Sequence, residues 1–176
     1  MVFLDESGFC LVPTIRKTWA PRGKTPILKI AGGWTKISAI SAISISAKRR
    51  RIGLYIRFHR SKNIRYPEVL VFLKYLLRHL KKGFVLLWDS GTIHKAGAVK
   101  RFLKSCNCVF AYHFPGYAPE LNPDEFVWNR FKRSVANSVP EDIRHLQYFL
   151  YRETKRLKHS KRLLWSCIKA SELPWE

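Results

Sequence analysis

Apolar residues in the first half of the chain come in short runs that favour β-strands. Val2 to Leu4 is one run, Ile37 to Ser46 is a second that is rich in β-branched and small residues, and Ile52 to Phe58 is a third. The basic run Lys48 to Arg51 lies between the last two and predicts a turn. The pattern therefore predicts three strands before any helix.

Helical spacing replaces this pattern after Tyr66-Pro67-Glu68, where a proline and an acid fit the first turn of a helix. Apolar residues then recur at three- and four-residue intervals up to Leu80, and Gly83 is placed to end the helix. Phe84 to Trp88 is short and wholly apolar, which is typical of a strand covered on both faces.

The second half of the chain continues this alternation. We expect a helix over Ala98 to Leu103, a strand over Cys108 to Phe114, and helical segments from Glu125 and over Ile143 to Ile168. Strands that alternate with helices in this order predict one α/β or α+β domain, with a mixed sheet flanked by helices.

Composition limits the classes of function. The 176 residues fit one domain, and 47% apolar with 14% aromatic residues excludes a disordered chain. No apolar run reaches the roughly 18 residues of a membrane span, and no signal peptide is evident. The net charge of +21, from 33 basic and 12 acidic residues, favours a polyanionic partner. Nucleic acid is the first candidate and an acidic membrane surface the second.

Two common site types are disfavoured. Cys106 and Cys108 lie near His113 but lack the second ligand pair of a zinc site, so the cysteines are expected to be reduced thiols. Gly23-Lys24-Thr25 resembles the end of a phosphate-binding loop, but Thr18 occupies the position of its first glycine.

Two acids follow apolar strands in a chain that is otherwise poor in acid. Asp5 follows Val2 to Leu4, Asp89 follows Phe84 to Trp88, and each is expected to end its strand and enter a glycine-containing turn. If the strands are neighbours, the carboxylates converge where α/β sheets gather ligands. Paired divalent cations relieve the repulsion of such carboxylates and suit phosphoryl transfer. Hard oxygen ligands favour Mg²⁺ or Mn²⁺; a turn residue is the alternative for either aspartate.

Glu125 has two interpretations. Asn122 can cap a helix with Pro123 in its first position, which puts Glu125 where a capping box has its acid. A carboxylate at a helix N-terminus can also reach a nearby metal, so the local pattern leaves both roles open.

Three ordered blocks give the chain a family resemblance. They are Trp19-Ala20-Pro21-Arg22-Gly23, the strand that ends at Asp89 with His94 five residues on, and Pro119-Glu120-Leu121-Asn122-Pro123-Asp124-Glu125-Phe126-Val127-Trp128. Together they resemble the catalytic domain of mariner-like transposases, especially the bacterial insertion-sequence relatives. That family has a Phe-x-Asp-Glu motif at its first acid and 34 or 35 residues between its second and third; here 35 separate Asp89 and Glu125.

The resemblance implies a ribonuclease-H-like fold in which Asp5, Asp89 and Glu125 bind two Mg²⁺ or Mn²⁺ ions. It further implies a cut-and-paste DNA transposase that cleaves transposon ends, joins them to target DNA and works as a homodimer. Residues 1–176 would form one catalytic domain of this DDE type. An upstream helix-turn-helix region is expected to be absent, so a separately encoded helix-turn-helix partner, a truncation or an alternative start is considered. A cytoplasmic, nucleoid-associated location follows if the source is bacterial or archaeal.

The sequence departs from the family at two places. Ser90 and Gly91 stand where Asn and Ala are common, and Asp124 replaces an apolar residue before Glu125, which leaves Asp124 as a second candidate ligand. Two other functions stay open: another ribonuclease-H-like nuclease, such as a resolvase or a hybrid nuclease, and an inactive DNA-binding remnant.

Three further residues carry weaker hypotheses. His94 either supports the site or approaches DNA, with a structural histidine as the alternative. Arg22 is either a phosphate contact or a solvated loop charge. Trp128, three residues after Glu125, is expected in the core rather than stacked on DNA.

Overall fold

The computed structural model describes residues 1–12, 16–27 and 35–175. Within these ranges one sheet lies between two layers of helices. Its strands are β1 (Val2–Cys10), β2 (Lys36–Ile45), β3 (Ile52–Arg60), β4 (Phe84–Trp88) and β5 (Val109–His113). The helices are α1 (Tyr66–His79), α2 (Gly97–Ser105), α3 (Pro123–Ser134), α4 (Ile143–His159) and α5 (Lys161–Ala170), and a 3₁₀ turn covers Pro119–Leu121.

The sheet is mixed, as the order of elements predicts. Its strand order is β3-β2-β1-β4-β5. β1, β2 and β3 form antiparallel pairs, whereas β4 runs parallel to both β1 and β5. The chain adds β2 and β3 on one side of β1 and then places β4 and β5 on its other side. This reversal of strand order therefore lies between β1, which contains Asp5, and β4, which Asp89 follows.

Alternation along the strands divides the core between two helix layers. Val2 and Leu4 of β1 pack in one cluster with Phe72 of α1. Phe3, between them, belongs to a second cluster with Trp128 of α3 and with residues of α4 and α5. We call these the α1/α2 face and the α3/α4/α5 face. β4 contributes to both faces, as its wholly apolar sequence predicts.

The prediction that β1 ends at Asp5 is wrong. β1 continues to Cys10 and pairs with β2 along its whole length, from Val2 opposite Ser44 to Cys10 opposite Lys36. Continuous pairing satisfies the backbone groups of residues 5–8 that face β2, so this acidic, glycine-containing stretch forms a strand and not a turn. Asp5 therefore lies in the middle of β1.

Local signals fix several other boundaries. The helical stretch over Ile143 to Ile168 is two helices, because Ser160 ends α4 and its hydroxyl accepts a hydrogen bond from the Leu163 N–H at the start of α5. Gly83 has a φ of 76°, and a Cβ there would lie 2.1 Å from the carbonyl oxygen of Cys108. None of the helices described is long and apolar enough to cross a membrane.

Candidate active site

Asp5 is positioned by the register between β1 and its two neighbours. On one side it pairs directly with Ser41 of β2. On the other side, the parallel ladder sets Val2 beside Leu86 and Phe3 beside Leu87. Continued with the same offset, this register brings Asp5 level with Asp89, which follows the last residue of β4. The expectation that the two strands are neighbours is confirmed.

The Asp5 carboxylate is buried without a positive partner. Only 9% of the residue is exposed, and its Oδ2 atom has no hydrogen-bond partner in the described structure. Burial raises the pKa of Asp5, and the charges of Glu125, Glu6 and Asp89 add to the increase and bring it to about 8. A cation at this position would oppose the shift, because it stabilises the ionised carboxylate.

Asp89 lies in a different environment. Its side chain is 60% exposed, and its Oδ1 atom lies 2.7 Å from Nδ1 of His94 and accepts a hydrogen bond from the Gly91 N–H at 2.8 Å. The hydrogen bond from His94 holds the pKa of Asp89 below its usual range. The Oδ2 atom of Asp89 has no hydrogen-bond partner among the residues described. Asp89 therefore has one oxygen fixed by the protein and one available.

His94 connects Asp89 to Glu6. It is 2% exposed, stacks on Trp88 with ring centroids 4.3 Å apart, and directs Nε2 at Oε1 of Glu6 over 3.1 Å. Burial by itself lowers the pKa of His94, but the hydrogen bonds and charges of Asp89 and Glu6 outweigh it and raise the pKa to about 10. Both ring nitrogens then donate, as imidazolium requires. His94 is therefore a buried residue that contacts Asp89 and Glu6.

Glu125 lies in the first turn of α3, at the position that the sequence predicts. Asn122 caps the helix, since its Oδ1 accepts a hydrogen bond from the Asp124 N–H, and Pro123 is the first helical residue. The Asn122 N–H donates to the Pro119 carbonyl, so the second half of a capping box is not formed. The Glu125 carboxylate is half-buried, and its charge is the largest electrostatic contribution to the pKa of Asp5.

One oxygen of Asp124 is bound by the protein, whereas its Oδ1 has no hydrogen-bond partner in the described structure. Asp124 is fully buried, and its Oδ2 accepts a hydrogen bond of 2.6 Å from the hydroxyl of Ser41, the residue paired with Asp5. Burial raises the pKa of Asp124 well above its usual value, although the bond from Ser41 opposes the shift. Asp124 therefore joins the start of α3 to β2 beneath the site.

Gly91 allows the observed position of the Asp89 carboxylate. A Cβ atom at Gly91 would lie 2.9 Å from Oδ1 of Asp89, closer than non-bonded atoms normally approach. The same Gly91 donates its N–H to that oxygen. The glycine that replaces a common family alanine therefore has a direct consequence for Asp89.

The donor set suits a hard divalent cation. In the described structure, Oδ2 of Asp5 has no hydrogen-bond partner, and the hydrogen bonds of the Asp89 side chain all involve Oδ1. The charge of Glu125 acts on Asp5. Carboxylate oxygens are the ligands that Mg²⁺ and Mn²⁺ prefer. In the described ranges, no three His, Cys, Asp or Glu side chains are already grouped closely enough to hold one ion. Rotation of the three carboxylates towards one another is therefore required for a shared ion.

The remaining candidates lie away from the acids or inside the core. Arg22 is exposed in the segment 16–27, and Trp128 is fully buried, as predicted for a core residue. Cys106 is partly buried and Cys108 exposed, and both are free thiols.

Glu6 is the functional residue that the sequence analysis missed. It stands next to Asp5 in the Phe-x-Asp-Glu motif, but alternation along β1 turns it to the α1/α2 face, where His94 lies. The adjacent acid in the motif was the only available signal, because its partner is 88 residues away.

Known structures share this fold. The Mos1 mariner paired-end complex with Mn is similar with a TM-score of 0.72 at 18% identity, over 96% of this chain and 51% of that chain. The Mos1 transposase paired-end complex with left transposon end gives 0.69 at 17%, again over 96% and 51%. The catalytic domain of Mos1 mariner transposase gives 0.57 at 16%, over 99% and 83%. The expected ribonuclease-H-like fold is confirmed, and the chain spans about half the length of the Mos1 chains in the paired-end complexes.

Sequence comparison gives the family. No curated protein matches the chain. The family model described as DDE superfamily endonuclease matches residues 1–147, which include Asp5, Asp89 and Glu125. The chain therefore belongs to the DDE superfamily of endonucleases.

Proposed function

We propose that this protein performs metal-dependent phosphoryl transfer on transposon DNA, both cleaving the ends of the element and joining them to target DNA. Asp5, Asp89 and Glu125 are the proposed ligands of two Mg²⁺ or Mn²⁺ ions. The observation that carries the proposal is the buried Asp5 carboxylate, whose Oδ2 atom has no hydrogen-bond partner among the described residues and which lies among the charges of Glu125, Glu6 and Asp89. Such a group is costly unless a cation neutralises it.

The side chains have separate tasks in this proposal. When bound, the ions would polarise the phosphate and activate the attacking water or 3′ hydroxyl. Asp5 offers its buried oxygen from the middle of β1, and Glu125 offers its carboxylate from the first turn of α3. Asp89 keeps Oδ1 on His94 and offers Oδ2.

Glu6 and His94 hold Asp89 in place. The imidazolium between the two carboxylates fixes the orientation of Asp89, and stacking on Trp88 fixes the ring of His94. Hydrogen-bonded partners of this kind commonly orient metal ligands. His94 is therefore a positioning residue in the proposed reaction.

DNA is the proposed substrate. The net charge of +21 favours a polyanion, and the similar Mos1 structures include complexes with a transposon end and a strand transfer complex. We further propose that the protein forms a homodimer that holds two DNA ends and that it has a separately encoded helix-turn-helix partner. We also propose that it originates from a bacterial insertion sequence. Association with the nucleoid follows from that origin.

Nicking of supercoiled plasmid DNA tests the proposal. The wild-type protein is expected to nick in Mn²⁺ and Mg²⁺ but not in EDTA, and Asp89→Ala is expected to lose the activity. The same proteins are compared on branched DNA and RNA–DNA hybrids, which a resolvase or a hybrid nuclease would prefer. A wild type that binds DNA but nicks no faster than Asp89→Ala in either metal contradicts the proposal and identifies a DNA-binding remnant.

A further inference from the structure

A second site, which is basic, lies at the opposite end of the sheet from Asp5 and Asp89. A cavity of about 900 Å³ lies between the turn that joins β2 to β3 and the turn that joins α1 to β4. β4 begins at this cavity with Phe84 and ends just before Asp89, about 16 Å away along the strand, and Val2 of β1, which also lines the cavity, is about 10 Å from Asp5. The cavity is therefore separate from the carboxylate site.

The rim of the cavity is strongly positive. Five exposed basic side chains line it, none of the described residues that line it is acidic, and none of the five forms an ion pair with an acid of the described structure. These five are Lys48, Arg50 and Arg51 on the first turn and Lys81 and Lys82 on the second. Their charges act together on whatever enters, which indicates an anionic ligand with more than one charge.

The floor of the cavity is apolar and partly aromatic. It includes Val2 and Phe84 at the starts of their strands, and Tyr55 of β3. The ring of Tyr55 meets His79 edge-on, with centroids 5.6 Å apart, and His79 also lines the cavity. An apolar, aromatic floor contributes nothing to the binding of phosphate alone, whereas a nucleotide base can pack against it.

We propose that this cavity binds unpaired nucleotides of a nucleic acid strand, with bases on the apolar floor and phosphates on the basic rim. Basic grooves with aromatic side chains bind single strands in this way, since every base has a face that stacks. The proposal rests on the proposed function only for the class of its ligand, because none of the acids of the carboxylate site takes part.

Binding of a short fluorescent oligothymidylate to the full chain in EDTA tests the rim. The pairs Lys81→Ala/Lys82→Ala and Arg50→Ala/Arg51→Ala are compared with Lys100→Ala/Lys104→Ala on α2, which removes the same charge from an exposed helix face. Each cavity pair is expected to weaken binding several-fold more than the control. Each is also expected to reduce the slope of log affinity against log salt by about 1.4, for two lost phosphate contacts. Equal effects of all three pairs would overturn the proposal.

Photocrosslinking tests the floor without relying on a variant that must fold. An oligonucleotide with 5-iodouracil is expected to crosslink to Tyr55, His79 or Phe84, as read by mass spectrometry, and Tyr55→Leu should reduce the yield. Crosslinks confined to other surfaces would contradict the proposal. Equal affinity for duplex DNA, or equal displacement by polyglutamate, would also overturn it, because either shows a general anion surface. All of these readouts are measured in Asp89→Ala as well, so that loss of nicking and loss of strand binding are distinguished.

Discussion

Asp5 and Asp89 are level with each other on adjacent strands but lie in contrasting environments. Asp5 is buried, has an oxygen without a partner, and lies near three other acids. Asp89 is largely exposed, yet His94 and the Gly91 N–H hold one of its oxygens. The pKa of Asp5 is raised and that of Asp89 is lowered as a result. The protein therefore disfavours the ionised form of Asp5 and favours the ionised form of Asp89, and in the proposed site a cation would compensate the charge of Asp5.

The difference assigns separate causes to the two halves of the site. An ionised Asp5 is unfavourable in the fold without a metal, so removing its charge should stabilise the metal-free protein while abolishing activity. Asp89 depends on its neighbours, so changes to those neighbours should alter metal affinity with little effect on stability.

The largest expected effect is on catalysis. Asp5→Asn and Glu125→Gln should each reduce Mn²⁺-dependent nicking by about 10³-fold, because each removes a ligand of ions that stabilise the transition state by several kcal/mol. Asp124→Asn keeps an acceptor for Ser41 and should retain most activity. Plasmid nicking rates measure all three, with the exposed Glu141→Gln as the control. Full activity in Glu125→Gln together with loss of activity in Asp124→Asn would show that the third ligand is Asp124 and not Glu125.

The pH dependence of stability comes next. The pKa of Asp5 is about 8 in the folded protein, against 3.8 as its ordinary value. Between these values the folded state keeps a proton that the unfolded state loses, so the free energy of unfolding should fall as pH rises from about 4 to 8. The raised pKa of Asp124 adds a decline of the same sign. Asp5→Asn should therefore reduce the decline without removing it, and should stabilise the metal-free protein at pH 8 by on the order of a few kcal/mol.

Urea unfolding in EDTA at several pH values measures this effect, again with Glu141→Gln as the control. His94 also contributes a decline, because its raised pKa of about 10 means that its stabilisation is lost as pH rises from about 6.5 to 10. A decline below pH 6 that is as steep in Asp5→Asn as in the wild type would show that Asp5 does not contribute to it.

The sequence predicts most of the framework and only part of this contrast. Apolar periodicity is sufficient for β4 and nearly so for α1, since burial alone decides those elements. It fails for β1 beyond Leu4, because pairing with β2 overrides a polar, glycine-containing stretch. The Glu6 to His94 contact is also beyond a local pattern, since two distant segments must meet on one face of the sheet. Glu125 was ambiguous because the same residues cap α3 and deliver the acid.

His94→Gln should have a smaller effect than loss of a ligand. The amide keeps a hydrogen-bonding group but not the charge that orients Asp89, so Mn²⁺ affinity should fall by about 10–100-fold. Glu6→Gln should follow in the same direction with a smaller loss. Calorimetric titration with Mn²⁺ measures both. If His94→Gln bound Mn²⁺ more tightly than the wild type, His94 would be a competitor of the metal and not a support for its ligand.

Gly91→Ala changes the environment of Asp89 and is expected to have the smallest effect on Mn²⁺ affinity. Its methyl group would meet Oδ1 of Asp89 at 2.9 Å, so the carboxylate must rotate away from His94. We expect Mn²⁺ affinity to fall about threefold, a smaller loss than that of His94→Gln because the carboxylate itself remains. The same titration measures it, and unchanged affinity would show that the position of Oδ1 is not important.

Mn²⁺ binding followed by electron paramagnetic resonance tests the central claim most directly, because it requires neither DNA nor turnover. The wild-type protein should bind Mn²⁺, whereas Asp5→Asn and Glu125→Gln should each weaken binding at least tenfold, and Glu141→Gln should not. At the upper end of the range from about pH 4 to 8, bound Mn²⁺ should also remove the loss of stability that Asp5 causes, since it neutralises Asp5. Equal Mn²⁺ binding by the wild type and Asp5→Asn would contradict the account.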